Sequence, residues 1–385
     1  MPATIYFVRQ SWKQDGPQSL DASRSLKHGC FGKGVVIRIG IFLPNWIGDV
    51  VMATPTLRAL RSHFSSAQMV GIMRPYVQSV LEGTDWLDDT ILFDHRSKDR
   101  TLGTRALVHQ LRTQQLDSAI FLTNSMRPAL LSWFAGIPQR IGYVRYGRAP
   151  LLTERLVPPR SGRKLQPVSA VDYYLEIAKS MGVSSVLDRT PELAVLPSQN
   201  ESFRDICRSL GLSPNRLITL NTGGAYGDAK SWPVTHFADL ARRIATEHYV
   251  DIAIVCGPAE RESAMQIERM AAHDRVRSLA QQTLSLSLTK SFVSQSRLLI
   301  STDSGPRHFG AAFGIPTLAI FGPTDPVWSF NYNPQETELR MELGCSPCAK
   351  RSCPLKHHAC MQELTPDMVY RAALPYLQQF DRQAA

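Results

Sequence analysis

No apolar stretch in these 385 residues approaches the length of about 20 that a membrane-spanning helix requires. The first 34 residues mix Arg, Lys, Gln, Ser and Gly and lack the continuous apolar core of a secretory signal. Residues 1–34 are therefore expected to be a disordered or mis-started extension, and the chain to be cytoplasmic. No internal repeat of short fixed period is present, which excludes solenoid arrays. Aromatic residues make up only 8%, with Trp and Tyr scattered. No basic recognition helix stands out, so nucleic acid is not expected as a partner.

What is present is positive charge and apolar bulk. The formal net charge is +10, which favours polyanions such as an anionic membrane surface or a phosphorylated glycolipid. Arg127, Arg140, Arg145, Arg148, Arg155, Arg160, Arg163 and Lys164 concentrate that charge in the first half. With 43% hydrophobic residues the chain can fill two cores, and its length exceeds the usual 100–200 residues of one domain. Strand-like runs such as Met69–Met73, Ser118–Leu122 and Asp251–Val255 alternate with helix-length segments, which predicts parallel α/β sheets. The turn-rich stretch Val183–Arg216 predicts a boundary, with a hinge near Pro197. Expected domains are then 35–197 and 198–365, followed by a C-terminal helix over 366–385.

Three segments carry chemistry. In Val35–Pro44 an apolar strand breaks at Asn45-Trp46-Ile47-Gly48-Asp49 and resumes as an expected helix over Val50–Arg61. Asp49 thus sits at the carboxyl end of a strand, where open α/β sheets bind ligands, and is either a helix cap or a general base. In Leu217–Pro233 a buried-type strand opens into Thr222-Gly223-Gly224 and then Lys230. Those glycines let backbone approach an anion, and the lysine adds a flexible cation. No Gly-Lys-Ser/Thr follows them, so this is not a P-loop and ATPase chemistry is not supported. The third segment, Thr302-Asp303-Ser304-Gly305-Pro306-Arg307-His308, reads as a strand end turning into a small-residue helix, where hydroxyls and backbone N–H groups suit a phosphate.

Read together, Pro44–Asp49 with Thr54-Pro55, Ala229–Pro233, Asp303–Gly305 with His308, Phe321–Thr324 and the cysteine-rich stretch Cys345–Met361 resemble glycosyltransferase family 9, which contains the ADP-heptose:lipopolysaccharide heptosyltransferases. The resemblance runs from Val35 to the C-terminus and is nearest to the branch whose acceptor is itself a heptose. It implies an α/β GT-B glycosyltransferase fold, two Rossmann-like domains facing each other across a cleft. It implies an inverting enzyme that moves heptose from ADP-heptose to the lipopolysaccharide inner core at the cytoplasmic surface of the inner membrane, as a peripheral protein. In that resemblance Asp49 is the base and Lys230 stabilises the leaving diphosphate. Thr222, Gly223, Gly224, Thr302, Asp303, Ser304, Gly305 and His308 hold the donor. Asn45 and Trp46, beside Asp49, and Arg127 and Arg145, from the basic first half, are expected to bind an acceptor that bears phosphates and acidic sugars.

Glu260, at another strand end, either binds the nucleotide ribose or merely opens a helix. Pro306-Arg307 departs from the family pattern, and Arg307 is expected to add a charge beside the pyrophosphate. No Asp-x-Asp pair of the kind used by metal-dependent transferases occurs in the C-terminal half, so no cofactor is expected to be required. The spacing Cys345-x2-Cys348-x4-Cys353-x6-Cys360 fits a structural zinc, an iron–sulfur cluster or reduced thiols packing a loop. Three alternatives stay open: a related transferase with a heptose-free acceptor, another nucleotide-sugar donor, or a non-catalytic protein that holds anionic glycolipid.

Overall fold

The computed structural model describes residues 8–9, 36–184, 187–224 and 226–384. The chain divides into two compact units between Pro191 and Glu192, the second of which also takes in Val8–Arg9. The expectation for residues 1–34 falls outside the described residues except at Val8–Arg9.

The first unit is built on six parallel strands: β1 (Arg38–Phe42), β2 (Gln68–Met73), β3 (Asp89–Leu92), β4 (Ser118–Phe121), β5 (Gln139–Tyr143) and β6 (Glu154–Leu156). Their order is β3-β2-β1-β4-β5-β6, the doubly wound arrangement in which the direction of progression reverses between β1 and β4. In β1 every residue from Ile39 to Phe42 is buried, as a strand covered on both faces must be. One of those faces packs Phe42, Val70, Ile72, Ala119 and Phe121 against Leu107, Leu111, Ala129 and Leu131.

The helix expected over Val50–Arg61 is two helices, Ile47–Met52 and Thr54–His63, that meet at Ala53. Pro55 explains the break, because it has no N–H to give to the Val51 carbonyl. The Thr54 hydroxyl donates to that carbonyl instead, at 2.7 Å. The basic stretch after β5 is more ordered than a plain loop. It contributes β6 and a short exposed hairpin, Arg160–Ser161 against Lys164–Leu165.

The second unit repeats the plan with β7 (Leu217–Asn221), β8 (Asp251–Val255), β9 (Val276–Ser278), β10 (Leu298–Thr302), β11 (Thr317–Phe321) and β12 (Glu336–Arg340). The order is β9-β8-β7-β10-β11-β12, all parallel, and Val8–Arg9 adds an antiparallel edge to β12. Its reversal point lies between β7 and β10. The core joins Ile218, Leu220, Ile252, Ile254 and Ile300 to the helices Val234–Glu247 and Pro366–Ala384 through Ile244, Val369, Ala373 and Leu377. Fully enclosed Trp232 donates from Nε1 to the Leu364 carbonyl at 2.7 Å, which ties the loop after β7 to the start of the last helix.

Candidate active site

At the reversal point of the second unit, the loops leaving β7 and β10 lie side by side with their strand carboxyl ends beneath them, the place where open parallel sheets take ligands. Asn221, the last residue of β7, stitches the loops together. Its amide donates to Ser301 Oγ at 2.9 Å and to Ser304 Oγ at 2.7 Å. Gly223 and Gly224 are required by close approach. A Cβ on Gly223 would overlap the Glu260 carboxylate, and one on Gly224 would come within 2.8 Å of Ser304 Cβ. Glu260, which follows β8, is held in turn by the Gly257 N–H, which donates to its Oε2 at 2.5 Å. The structure therefore gathers Thr222, Gly223, Gly224, Glu260, Thr302, Asp303, Ser304 and Gly305 at one sheet edge. The Thr222 hydroxyl is buried there without a hydrogen-bond partner, a vacant polar contact that a ligand oxygen can fill.

Below these loops lies a buried ionic network. Lys230, at the end of the β7 loop, donates to Asp303 Oδ2 at 2.6 Å and to the Asp303 carbonyl at 2.9 Å. Oδ2 also accepts from Thr324 Oγ1 at 2.7 Å. Oδ1 accepts from Arg307 Nη1 at 3.0 Å and from Ser329 Oγ at 3.2 Å. Burial by itself would raise the Asp303 pKa, yet the Lys230 and Arg307 charges outweigh it and hold the carboxyl well below the usual carboxylate range.

Arg307, expected to add a charge beside the pyrophosphate, has its guanidinium committed to protein groups. It is wholly enclosed and forks onto Glu336, with Nε to Oε2 at 2.9 Å and Nη2 to Oε1 at 2.6 Å. Its Nη2 also reaches the Ser329 carbonyl at 3.0 Å, and Phe321 lies under the guanidinium. The reason is geometric: Arg307 opens the helix Arg307–Ala312, and its side chain runs inward toward β12. His308 is also buried, with Nδ1 3.4 Å from the Asn331 amide. Burial, reinforced by the Arg307 charge, pushes its imidazole down to about 3, so the ring is neutral at physiological pH.

The cysteine-bearing segment is tied to the same loop. The Ala229 N–H donates to the Arg351 carbonyl at 3.0 Å, Tyr226 OH to the Ala349 carbonyl at 2.9 Å, and Ser352 Oγ to Asp228 at 2.8 Å. Gly227, at φ +148°, has its open side against the Arg351 carbonyl. Cys345 is exposed, and Cys348, Cys353 and Cys360 are half-buried free thiols. Among the described residues no group of three or more His, Cys, Asp or Glu is arranged to hold a metal ion. Burial, followed by the neighbouring cysteines, pushes the Cys360 thiol up to about 11.

In the first unit, Asp49 lies in the opening turn of Ile47–Met52, just past the carboxyl end of β1 and at that sheet's own reversal point. It is half-buried, and its charge reaches the enclosed Tyr174. Asn45 and Trp46 precede it and are exposed, and the Asn45 carbonyl accepts from Tyr76 OH. Arg127 follows β4 near His95, while Arg145 follows β5 and lies over the Tyr146 ring. Arg74 and Arg96, which sequence reasoning passed over, also act on His95.

Two arginines counted as surface charge are structural. Arg140 donates to the Leu151 and Ile137 carbonyls. Arg148 is fully buried and donates to the Tyr143, Thr123 and Ser125 carbonyls. Burial lowers Arg148 to about 10, and its Nη2 has no partner.

Two parallel, doubly wound domains, each with polar groups collected at its reversal point, are the architecture of the GT-B glycosyltransferases. The chain belongs to glycosyltransferase family 9, the heptosyltransferase family, whose model matches residues 104–359. It is 26% identical over 345 residues to lipopolysaccharide heptosyltransferase 2 of Escherichia coli K12, covering 86% of this chain and 96% of that protein. It is 25% identical over 336 residues to lipooligosaccharide heptosyltransferase 2 of Campylobacter jejuni, covering 86% and 97%. The fold matches the solved structure of E. coli ADP-heptose lipopolysaccharide heptosyltransferase II with a TM-score of 0.73 and 23% identity, over 89% of this chain and 99% of that one.

Proposed function

We propose that this protein transfers L-glycero-D-manno-heptose from ADP-heptose to a heptose of the lipopolysaccharide inner core, with inversion at the anomeric carbon. The observation that carries the reading is the buried Lys230–Asp303 pair at the reversal point of the second unit, beneath the vacant Thr222 hydroxyl.

The reaction needs a base on the acceptor and charge stabilisation on the leaving group. Asp49 takes the proton from the acceptor hydroxyl as that oxygen bonds to the anomeric carbon. The bond from that carbon to the diphosphate oxygen breaks, and ADP leaves with the electron pair. Lys230 and the backbone N–H groups of Thr302–Gly305 neutralise the growing charge, Asp303 orients the donor heptose, and Glu260 meets the ribose hydroxyls. Asn45, Trp46, Arg127 and Arg145 hold an acceptor that bears phosphates and acidic sugars. No helix among the described residues is long and apolar enough to cross a membrane, and we place the protein at the cytoplasmic surface of the inner membrane through its lipid-linked acceptor.

Lys230 fills the role that a divalent ion plays in other transferases, so turnover is expected to persist in EDTA. The deciding experiment follows ADP release from ADP-heptose with a heptose-bearing lipid A–Kdo acceptor. Acceptor-dependent release by the wild type, abolished in Asp49→Ala, supports the reading. Donor binding without release means that the acceptor is wrong, and no binding of any ADP-sugar defeats the reading.

A further inference from the structure

Among the described residues, the anionic partner of Lys230 is Asp303. A lysine that grips a leaving diphosphate has to give up part of this contact as the donor binds. Asp303, enclosed at 5% exposure, would then be a buried carboxylate short of a cation, a state that raises its pKa and draws in a proton. Arg307 stands ready on the other oxygen. Its Nη1 meets Oδ1 at 3.0 Å, while Glu336 fixes its remaining fork at 2.9 and 2.6 Å, so the guanidinium cannot swing away.

We propose that Arg307 is a positioning residue that keeps the Asp303 carboxylate ionised and fixed while Lys230 transfers its charge to the donor's diphosphate. The inference rests on the donor-site reading above. Among the described residues the charged or titratable groups that face Asp303 are Lys230 from the β7 loop, Arg307 and His308 from the following helix, and Glu336 and Glu338 from β12. Burial pushes Glu338 up to about 7, and His308 is held down to about 3. At pH 6 Glu338 is therefore mostly protonated and His308 neutral, and Asp303 is the group left to respond.

The test is ADP binding by calorimetry at pH 6, in two buffers of different ionisation enthalpy, which counts the protons taken up. The proton released by the ADP phosphate is common to all variants and cancels in comparison. The Arg307→Met/Glu336→Gln double variant removes one buried charge of each sign. It is expected to take up about one proton more per ADP than the wild type and to bind about tenfold more weakly. Arg307→Lys, which keeps the cation, is expected to restore the wild-type proton count. If circular dichroism shows that the double variant is unfolded, Arg307→Gln/Glu336→Gln is measured instead, with the same expected uptake. Equal proton counts in wild type and the neutral variant overturn the proposal, whatever happens to affinity, because a purely structural role weakens binding without moving a proton. Absence of ADP binding by the wild type defeats the donor-site reading and this proposal with it. Binding with equal proton counts defeats the proposal alone.

Discussion

Replacing Asp303 by Asn changes little volume and removes one buried charge. Both carboxylate oxygens are fully used, Oδ1 by Arg307 and Ser329 and Oδ2 by Lys230 and Thr324. Whichever way the amide is turned, its NH2 faces a cation and a hydroxyl that were donating. Lys230 would then lose the anion it pairs with, and Arg307 would keep only Glu336. Removing one partner of a buried ion pair costs about 3–5 kcal/mol. For a unit of this size, each kcal/mol lowers the melting temperature by about 2–4 °C, so a drop on the order of 10 °C is expected.

The pH dependence sharpens the test. The folded pKa of Asp303 lies below its unfolded value, so its stabilisation is complete above about pH 4 and is lost as pH falls toward the folded value. Urea unfolding followed by fluorescence should show a constant gap between wild type and Asp303→Asn from pH 5 to 8. The gap should narrow below about pH 4. A variant within about 1 kcal/mol of wild type at pH 7, or a gap that does not change on acidification, refutes the network as drawn.

Three further outcomes follow from the same geometry. Asp49→Asn should lower kcat by at least about 10²-fold while ADP affinity, read by calorimetry, stays unchanged, because the base acts on the acceptor. Gly227→Ala places a Cβ against the Arg351 carbonyl at a φ of +148°, and the strain should cost about 1–3 kcal/mol in urea unfolding, or raise KM for the donor if the loop shifts to relieve it. Arg148→Met strands the Tyr143, Thr123 and Ser125 carbonyls in the first unit, and should cost about 1–3 kcal/mol with a salt-independent urea midpoint.

The strands were readable because both faces are covered, so β7, β8 and β10 appear as near-continuous apolar runs that stop where the loops begin. Asp49, Lys230 and Asp303 were readable because each follows such a run at a glycine- or hydroxyl-rich turn. The split helix at Ala53 was marked by Pro55, whose missing N–H is a local and visible cause. The cysteines were less legible, because their spacing permits either a metal site or reduced thiols packing a loop, and exposure of Cys345 against half-burial of Cys348, Cys353 and Cys360 is a property of the folded segment.

Charge was legible only in part. Arg140, Arg148 and Arg307 look alike in sequence to Arg127 and Arg145, and nothing local marks which guanidinium will be enclosed. For Arg307 the cause lies 29 residues away in Glu336, on a strand that reaches it only after the sheet has assembled. Enclosure changes what such a residue can do. An exposed arginine beside a diphosphate would be one more cation for the ligand, screened by solvent and replaceable. Enclosed between Glu336 and Asp303, it acts instead on the protein's own carboxylate, and its effect on the donor passes through the protonation state of Asp303. That is why a proton count separates the two roles where an affinity measurement would not.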